Sequence, residues 1–306
     1  MARTISRALL IGRPRLDSTI GDTRRVAILR LVYLAAGTSD ALHTQALYAM
    51  LSALAWGDGK QLIHLHTDAP ERYRSLAEMA HGQIALHAIA NVEPGRIFET
   101  KLSVIHDCTQ RFSADAVLFC DADTFFVQPY EDLRNRILGG DFFLHRREYD
   151  VASHPTPQMR KFRRSLRRAG LGEHGAMWNS GVAGLPPGQS HVLDEAFMTF
   201  ARLTPHTKKK YLAEQYCLSR AISDAGQVSP AEDWIFHYWY QKAGYTQAIQ
   251  ERLNEWEGKS RAQIVAGIKA DRIVLSAPAA KLHWWEKLLT STGLRERPPE
   301  ILGLPK

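Results

Sequence analysis

Short apolar runs that stop abruptly at polar or acidic residues, each followed by a stretch with helical periodicity, constrain this chain more than any other feature. Residues 26–34 are rich in Val, Ile and Leu, with Arg30 as the one interruption. Unbroken apolarity of that length suits a strand covered on both faces. The turn AAGTSD follows, where Ser39 or Asp40 is placed to cap a helix. Leu47, Met50, Leu51 and Leu54 then recur at helical spacing until Gly57, Asp58 and Gly59 stop the helix. Residues 62–65 form a second strand closed by Thr67 and Asp68, and Pro70 and Glu71 suit the first turn of the next helix. Residues 84–89 give a third strand, 98–111 a helix, and 116–120 an apolar strand ending at Asp121. This alternation predicts an α/β fold: a mostly parallel central sheet with helices on both faces. Ligands of such sheets bind outside the carboxyl ends of the strands. Residues 37–40, 67–68 and 121–123 are therefore expected along one edge.

With 306 residues, 45% of them hydrophobic and 23% charged, the chain can form a packed core, and neither disorder nor a fibrous class fits. Lys and Arg number 39 against 32 Asp and Glu, a net charge of +7. The surplus points to an anionic partner: a nucleotide, a phosphorylated acceptor, a membrane surface or nucleic acid. Cys108, Cys120 and Cys217 are too few and too scattered for a disulfide framework or a zinc site. They imply a reducing compartment. No apolar stretch approaches the ~20 residues needed to span a bilayer. The start, MARTISRALLIG, has too short an apolar part for a secretory signal. A soluble cytoplasmic protein is expected, with room for peripheral contact with a membrane.

The candidate chemistry centres on VLFCDADTFFVQPYEDL, residues 117–133. On an extended chain, side chains two apart point to the same side, so Asp121 and Asp123 are expected to face one spot. Two carboxylates there repel unless a cation neutralises them, and hard oxygen ligands suit Mg²⁺ or Mn²⁺. The plainer alternative is a pair of turn or cap residues. Further along, Arg160, Arg163, Arg164, Arg167 and Arg168 recur at helical spacing opposite Phe162, Leu166 and Ala169. Lys208, Lys209 and Lys210 add a second basic cluster. A basic amphipathic helix of this kind can be an ordinary solvated face, or can contact phosphorylated sugars or anionic lipid.

The segment around Asp121 and Asp123 resembles the D-x-D signature of GT-A nucleotide-diphospho-sugar transferases. MWNSGVAGLP, residues 177–186, is similar to the N-S-G segment of retaining transferases of the family 8 type. AEQYCLSRAI, residues 213–222, is similar to that family's acidic-Gln helix, and WIFHYWYQKAGY, residues 234–245, to its late strand carrying a His and then a Lys. The resemblance covers residues 26 to about 245. It implies a GT-A (Rossmann-like) domain over residues 1–250, with 251–306 as a helical C-terminal extension on the same domain. It implies Mn²⁺ or Mg²⁺ held by Asp121, Asp123 and His237, with His283 in KLHWWEK as a rival third ligand. Thr38 and Asp40 would meet the base and ribose, Asp121 also the ribose, and Lys101 the nucleotide. Lys242 would meet the diphosphate, and Asn179 and Ser180 would line the donor-sugar pocket. Glu214 and Gln215 would reach the reacting sugar, although the family more often has Asp where Glu214 stands.

The activity so implied is transfer of a sugar from a nucleotide-diphosphate donor, UDP-sugar by the family's default, to a glycan, glycolipid or other hydroxyl acceptor. Whether the configuration is retained or inverted stays open. A sugar-phosphate nucleotidyltransferase is an alternative, but AAGTSDALHTQ lacks the glycine density of its phosphate loop. A catalytically inactive nucleotide-sugar binder is another. Nucleic-acid binding is not expected, because no helix-turn-helix, zinc or aromatic RNA-binding signature is present.

Overall fold

The first apolar run starts pairing three residues later than its composition suggests. Val26 is 82% exposed, and strand β1 is Leu29–Ala35. The computed structural model describes residues 26–240 and 242–271. The rival ligand His283 and all of the proposed extension beyond Asp271 lie outside the described residues, as does the basic start of the chain.

After β1 come α1 (Asp40–Trp56), β2 (Leu62–Thr67), α2 (Arg74–Met79), β3 (Ile84–Ala88), α3 (Ile97–Arg111), β4 (Ala116–Cys120), β5 (Thr124–Phe126) and α4 (Glu131–Leu138). Pro70 opens a 3₁₀ turn, Pro70–Tyr73, rather than α2 itself. Ser39 caps α1 through its backbone, accepting from the Leu42 N–H at 3.0 Å, and makes no side-chain cap bond. The second half adds β6 (Phe142–Leu144), β7 (Arg147–Asp150), α5 (Pro157–Arg168), β8 (Ala176–Trp178), β9 (Val182–Leu185), α6 (Ser190–Leu203) and α7 (Lys210–Ala225). It closes with β10 (Val228–Pro230), β11 (Ile235–His237), α8 (Lys242–Glu255) and α9 (Arg261–Ala270).

Seven strands form the central sheet in the order β10-β6-β9-β4-β1-β2-β3. β3, β2, β1 and β4 run parallel, and β9 is antiparallel to both β4 and β6. Alternate residues of one strand feed two cores. Leu29, Leu31 and Tyr33 of β1 join Leu118 and Cys120 on the α1 side, whereas Val32 and Leu34 join Val117 and Phe119 on the α3, α6 and α7 side. The predicted mostly parallel sheet with helices on both faces is thus the observed one. Ile249, Trp256, Ile264 and Ile268 of the α8–α9 region belong to the α1-side core. The order reverses between β1 and β4: the chain leaves β1 toward β2 and β3, then returns to β1's other flank. A crevice opens at such a switch point.

Arg30, the interruption in the first run, is buried in an ion pair with Asp115 at 2.6 Å and lies over the Phe112 ring. It also donates to His64 Nε2 at 3.0 Å, so the His64 Nδ1–H must donate to His87 Nε2, 2.9 Å away. A second proton on His64 has no acceptor in this arrangement. Burial first, then His87 and Arg30, pulls His64 down to about 3; burial, His87 and Arg111 do the same to His66. Both rings are neutral when folded and titrate near 6.5 when unfolded. Stability from this cluster is therefore complete above pH 6.5 and lost progressively as pH falls toward 3. We predict that the melting temperature is level from pH 8 to 7 and drops by several degrees between pH 6.5 and 5. Calorimetry over that range checks it, and a flat profile would contradict the neutral cluster.

Candidate metal centre

β4 ends at Cys120, and the chain does not continue extended through Asp121 and Asp123 as expected from side-chain alternation. It turns. The Asp121 N–H donates to Gly181 O at 2.7 Å, and the Thr124 N–H and hydroxyl both donate back to Asp121 O at 3.1 and 2.7 Å. The two carboxylates converge because of this turn, not because of strand geometry. β5 then leaves the turn and pairs antiparallel with β11, placing Thr124 opposite His237. The Tyr238 N–H donates to Asp123 O at 3.2 Å and extends that pairing. Asp121, Asp123 and His237 consequently each offer a ligand atom within 4.8 Å of the others.

The hydrogen bonds around His237 decide which nitrogen it offers. Asn179 Oδ1 accepts from the Gly181 N–H at 3.0 Å, which identifies that amide atom as oxygen, since a backbone N–H can only donate. The same oxygen lies 2.9 Å from His237 Nδ1, so Nδ1 carries the proton. Nε2 is left with its lone pair, 3.3 Å from Asp123 Oδ1. Two acceptors facing each other, with Asp121 beside them, form a donor set that fits a divalent cation, and the Asn179 bond is the outer contact that orients a ligating His. Gly181 is needed here, because a Cβ at this position would collide with the His237 ring. Burial pushes the Asp123 carboxyl up, and the Lys242 ammonium, 2.7 Å from Oδ2, pulls it down.

Beneath this centre lies Lys101 of α3. It is not on the helix surface. Its ammonium, 6% exposed, sits 3.2 Å from Asp121, 3.2 Å from Glu214 and 2.8 Å from the Ser180 main-chain oxygen. Burial pulls the ammonium down, yet Asp121 and Glu214 outweigh it and Lys101 titrates above its ordinary value. One cation serves two carboxylates, and the more buried one shows the strain. Burial, with Asp121's like charge, leaves Glu214 raised despite Lys101. The Ser180 hydroxyl donates to the other Glu214 oxygen at 3.1 Å. Glu214 thus faces Lys101 and Ser180 rather than open solvent.

Its neighbour Gln215 donates through Nε2 to Glu148 at 2.6 Å, and Asn179 Nδ2 donates to the other Glu148 oxygen at 3.0 Å. Lys242, at the start of α8 and 55% exposed, reaches Asp123 Oδ2 at 2.7 Å. Asp40 and Lys242 both line a cleft of about 730 Å³ between the starts of α1 and α8. Asp40 is exposed and paired with Arg72 at 2.7 Å. Thr38 is exposed on the same loop, and among the described residues no hydrogen bond ties it to the carboxylates. The loop is braced by the Gly37 N–H donating to Asp68 at 2.9 Å, which joins the ends of β1 and β2 as expected.

Two residues near the centre were missed in the sequence. One is Glu148. The other is buried His145, whose ring meets the His237 ring edge-on at 5.3 Å. Both follow the apolar triplet FFL of β6, and an apolar run ending in polar residues is the same signal that marked Asp121.

Replacing Lys101 by Met should leave a buried carboxylate without its counter-charge. Breaking one side of a buried pair costs about 3–5 kcal/mol, so the urea midpoint should fall steeply. The double change of Lys101 to Met with Glu214 to Gln should recover a large part of that loss. A single variant as stable as the wild type would contradict the arrangement.

No family model and no curated protein matches the chain. Among solved structures, the apo form of the glycosyltransferase GlyE from Streptococcus pneumoniae TIGR4 is similar at 16% identity with a TM-score of 0.50, over 79% of this chain and 63% of that one. The galactosyltransferase LgtC, solved with donor and acceptor sugar analogs, aligns at 12% identity and a TM-score of 0.46 over 75% of this chain and 99% of that one. Mouse xyloside xylosyltransferase 1 aligns at 14% and 0.42, over 73% of this chain and 92% of that one. This chain spans somewhat less than two-thirds of GlyE's length. The likeness to apo GlyE shows a shared fold, and the fold is the GT-A type expected from the resemblance.

Proposed function

We propose that this chain is a metal-dependent glycosyltransferase that moves a sugar from a nucleotide-diphosphate donor, a UDP-sugar by resemblance, to a hydroxyl of a glycan or lipid-linked acceptor. One observation carries the reading: Asp121, Asp123 and His237 bring their ligand atoms within 4.8 Å of one another. They do so at the carboxyl end of β4, by the switch point of a sheet shared with a glycosyltransferase. Mn²⁺ or Mg²⁺ bound there would neutralise charge on the departing diphosphate.

The chain's own residues divide the remaining work. Asp121, Asp123 and His237 hold the ion. Lys242, already within reach of Asp123, exchanges that contact for a phosphate oxygen and stabilises the leaving group. Thr38 and Asp40 take the base and ribose at the mouth of the cleft. Asn179 and Ser180 line the sugar, Gln215 faces it, and Glu214 and Lys101 tune the charge beneath it. Residues 1–250 form the transferase unit, with 251–306 as its extension; α8 runs across that division.

The acceptor side is assigned to the basic surface. On α5, Arg163 donates to Val151 O and His154 O, and Arg167 pairs with Glu173. Arg164 and Arg168 are exposed and carry no such bond among the described residues. The Ser165 hydroxyl donates to His206 O at 2.7 Å and Gln158 to the Tyr211 hydroxyl at 2.7 Å, which ties the segment carrying exposed Lys208 and Lys209 to α5, while Lys210 donates to Gly95 O at 3.0 Å. We assign this surface to an anionic membrane or lipid-linked acceptor on the cytoplasmic side. Buried, free Cys108, Cys120 and Cys217 suit a reducing compartment, and among the described residues no helix is long and apolar enough to cross a membrane.

Two measurements check the proposal. With Mn²⁺ and a panel of UDP-, GDP- and CDP-sugars, one donor should be hydrolysed. Activity should vanish in chelator, and Asp123→Ala should lower kcat/KM by about 10²–10³-fold. Full activity in chelator sinks the metal role, and pyrophosphate made from a nucleoside triphosphate and a sugar phosphate would identify a nucleotidyltransferase instead. Separately, sedimentation with anionic vesicles should weaken more than tenfold in an Arg164→Glu, Arg168→Glu variant, since each basic residue near such a surface contributes about 1 kcal/mol.

A further inference from the structure

The side-chain amides of Asn179 and Gln215 both end on one carboxylate. Glu148 Oε1 accepts from Asn179 Nδ2 at 3.0 Å, and Glu148 Oε2 accepts from Gln215 Nε2 at 2.6 Å. Its position comes from an irregularity in the ladder. β7 pairs with β8 so that Arg147 lies opposite Trp178 and Tyr149 opposite Met177, leaving Glu148 as the extra residue of a β-bulge. Bulges re-aim side chains and are common beside active sites. The Asn179 N–H, donating to Arg146 O at 2.8 Å, fixes the register just before the bulge.

A primary amide has a polarity: when its NH₂ end is committed, its oxygen points the other way. A carboxylate has two acceptor oxygens and can commit two amides at once, whereas a carboxamide has one acceptor and one donor end. With its NH₂ on Glu148, Asn179 turns its oxygen to the Gly181 N–H and the His237 Nδ1–H. His237 Nε2 is thereby left as the lone-pair nitrogen beside Asp123. With its NH₂ on Glu148, Gln215 keeps its carbonyl oxygen as an acceptor.

We propose that Glu148 is a positioning residue that sets the hydrogen-bond polarity of the whole centre. Accepting from both amides, it holds His237 in the Nδ1–H tautomer with Nε2 free for a divalent cation, and it holds Gln215 with its oxygen available to the donor sugar. The proposal rests on reading the site as a metal-dependent donor site. It links the metal ligand and its partner Asn179 to the sugar-facing Gln215 through one side chain, Glu148, that need not touch either ligand.

Two variants separate the arms. In Glu148→Gln, one acceptor remains; the Gly181 N–H tips the choice so that Asn179 keeps that acceptor, and Gln215 is the amide that turns. Mn²⁺ affinity of the donor-free protein should stay within about threefold of wild type, while kcat for donor turnover falls about 10–100-fold with little change in KM. In Glu148→Met no acceptor remains, and Mn²⁺ affinity should fall about 10–100-fold, the usual cost of losing an outer-shell partner. Nitrogen-15 spectra of the metal-free proteins should show His237 as the Nδ1–H form in wild type and Glu148→Gln, and as a mixture in Glu148→Met. The proposal is overturned if Glu148→Met keeps both tautomer and metal affinity, or if the two variants lose affinity and turnover alike. Should Glu148→Met not fold, the split between affinity and turnover in Glu148→Gln decides alone. A wild type that binds no Mn²⁺ would defeat the metal reading, while the tautomer measurement would still judge Glu148.

Discussion

A single buried ammonium ties the site together. Lys101 enters from α3 and meets the acid that ends β4, the acid on α7 and the Ser180 carbonyl of the loop before β9. These contacts come from four stretches of chain, and each depends on the others for its charge balance. Two carboxylates in a buried space repel; one cation between them makes the space habitable. The β4 end, the 179–181 loop and α7 are thereby held in one relative placement, and the geometry around His237 follows from that placement.

Above the ammonium, directionality takes over from charge. The Gly181 N–H identifies the Asn179 oxygen, that oxygen identifies the protonated nitrogen of His237, and Glu148 receives the other end of the amide. Each bond has one allowed sense, so the pattern leaves one ring nitrogen as a ligand. Small residues are part of the same logic: the ring of His237 occupies the space a side chain at position 181 would need. The cleft between α1 and α8 opens beside this patterned floor, with Lys242 at its junction with Asp123.

The sheet accounts for why these parts meet. β1 and β4 are parallel neighbours, and the chain departs in opposite directions from them, so their carboxyl ends are not both covered by one crossover. Arg30, which interrupts the first apolar run, stays within the sheet because Asp115, His64 and Phe112 compensate its charge at the opposite end of β1.

Local pattern by itself determined the main strands and helices of residues 26–120, the parallel sheet they build, and the edge at which Asp121 and Asp123 lie. It could do so because burial on two faces and helical periodicity are properties of neighbouring residues. It also singled out His237, Asn179, Gln215 and Lys242, through resemblance rather than through any spacing that would force them together. Tertiary structure alone decided the rest. The convergence of the two acids depends on a turn closed by Thr124 and a bond to Gly181, sixty residues away. Lys101 reads as a surface helix residue until the 180 loop and α7 cover it. Glu148 carries no sequence signal beyond the end of a three-residue apolar run, because a bulge exists only where two strands are paired. Hydrogen-bond direction and the sharing of one charge by two acids belong to groups far apart along the chain, so only the folded chain could specify them.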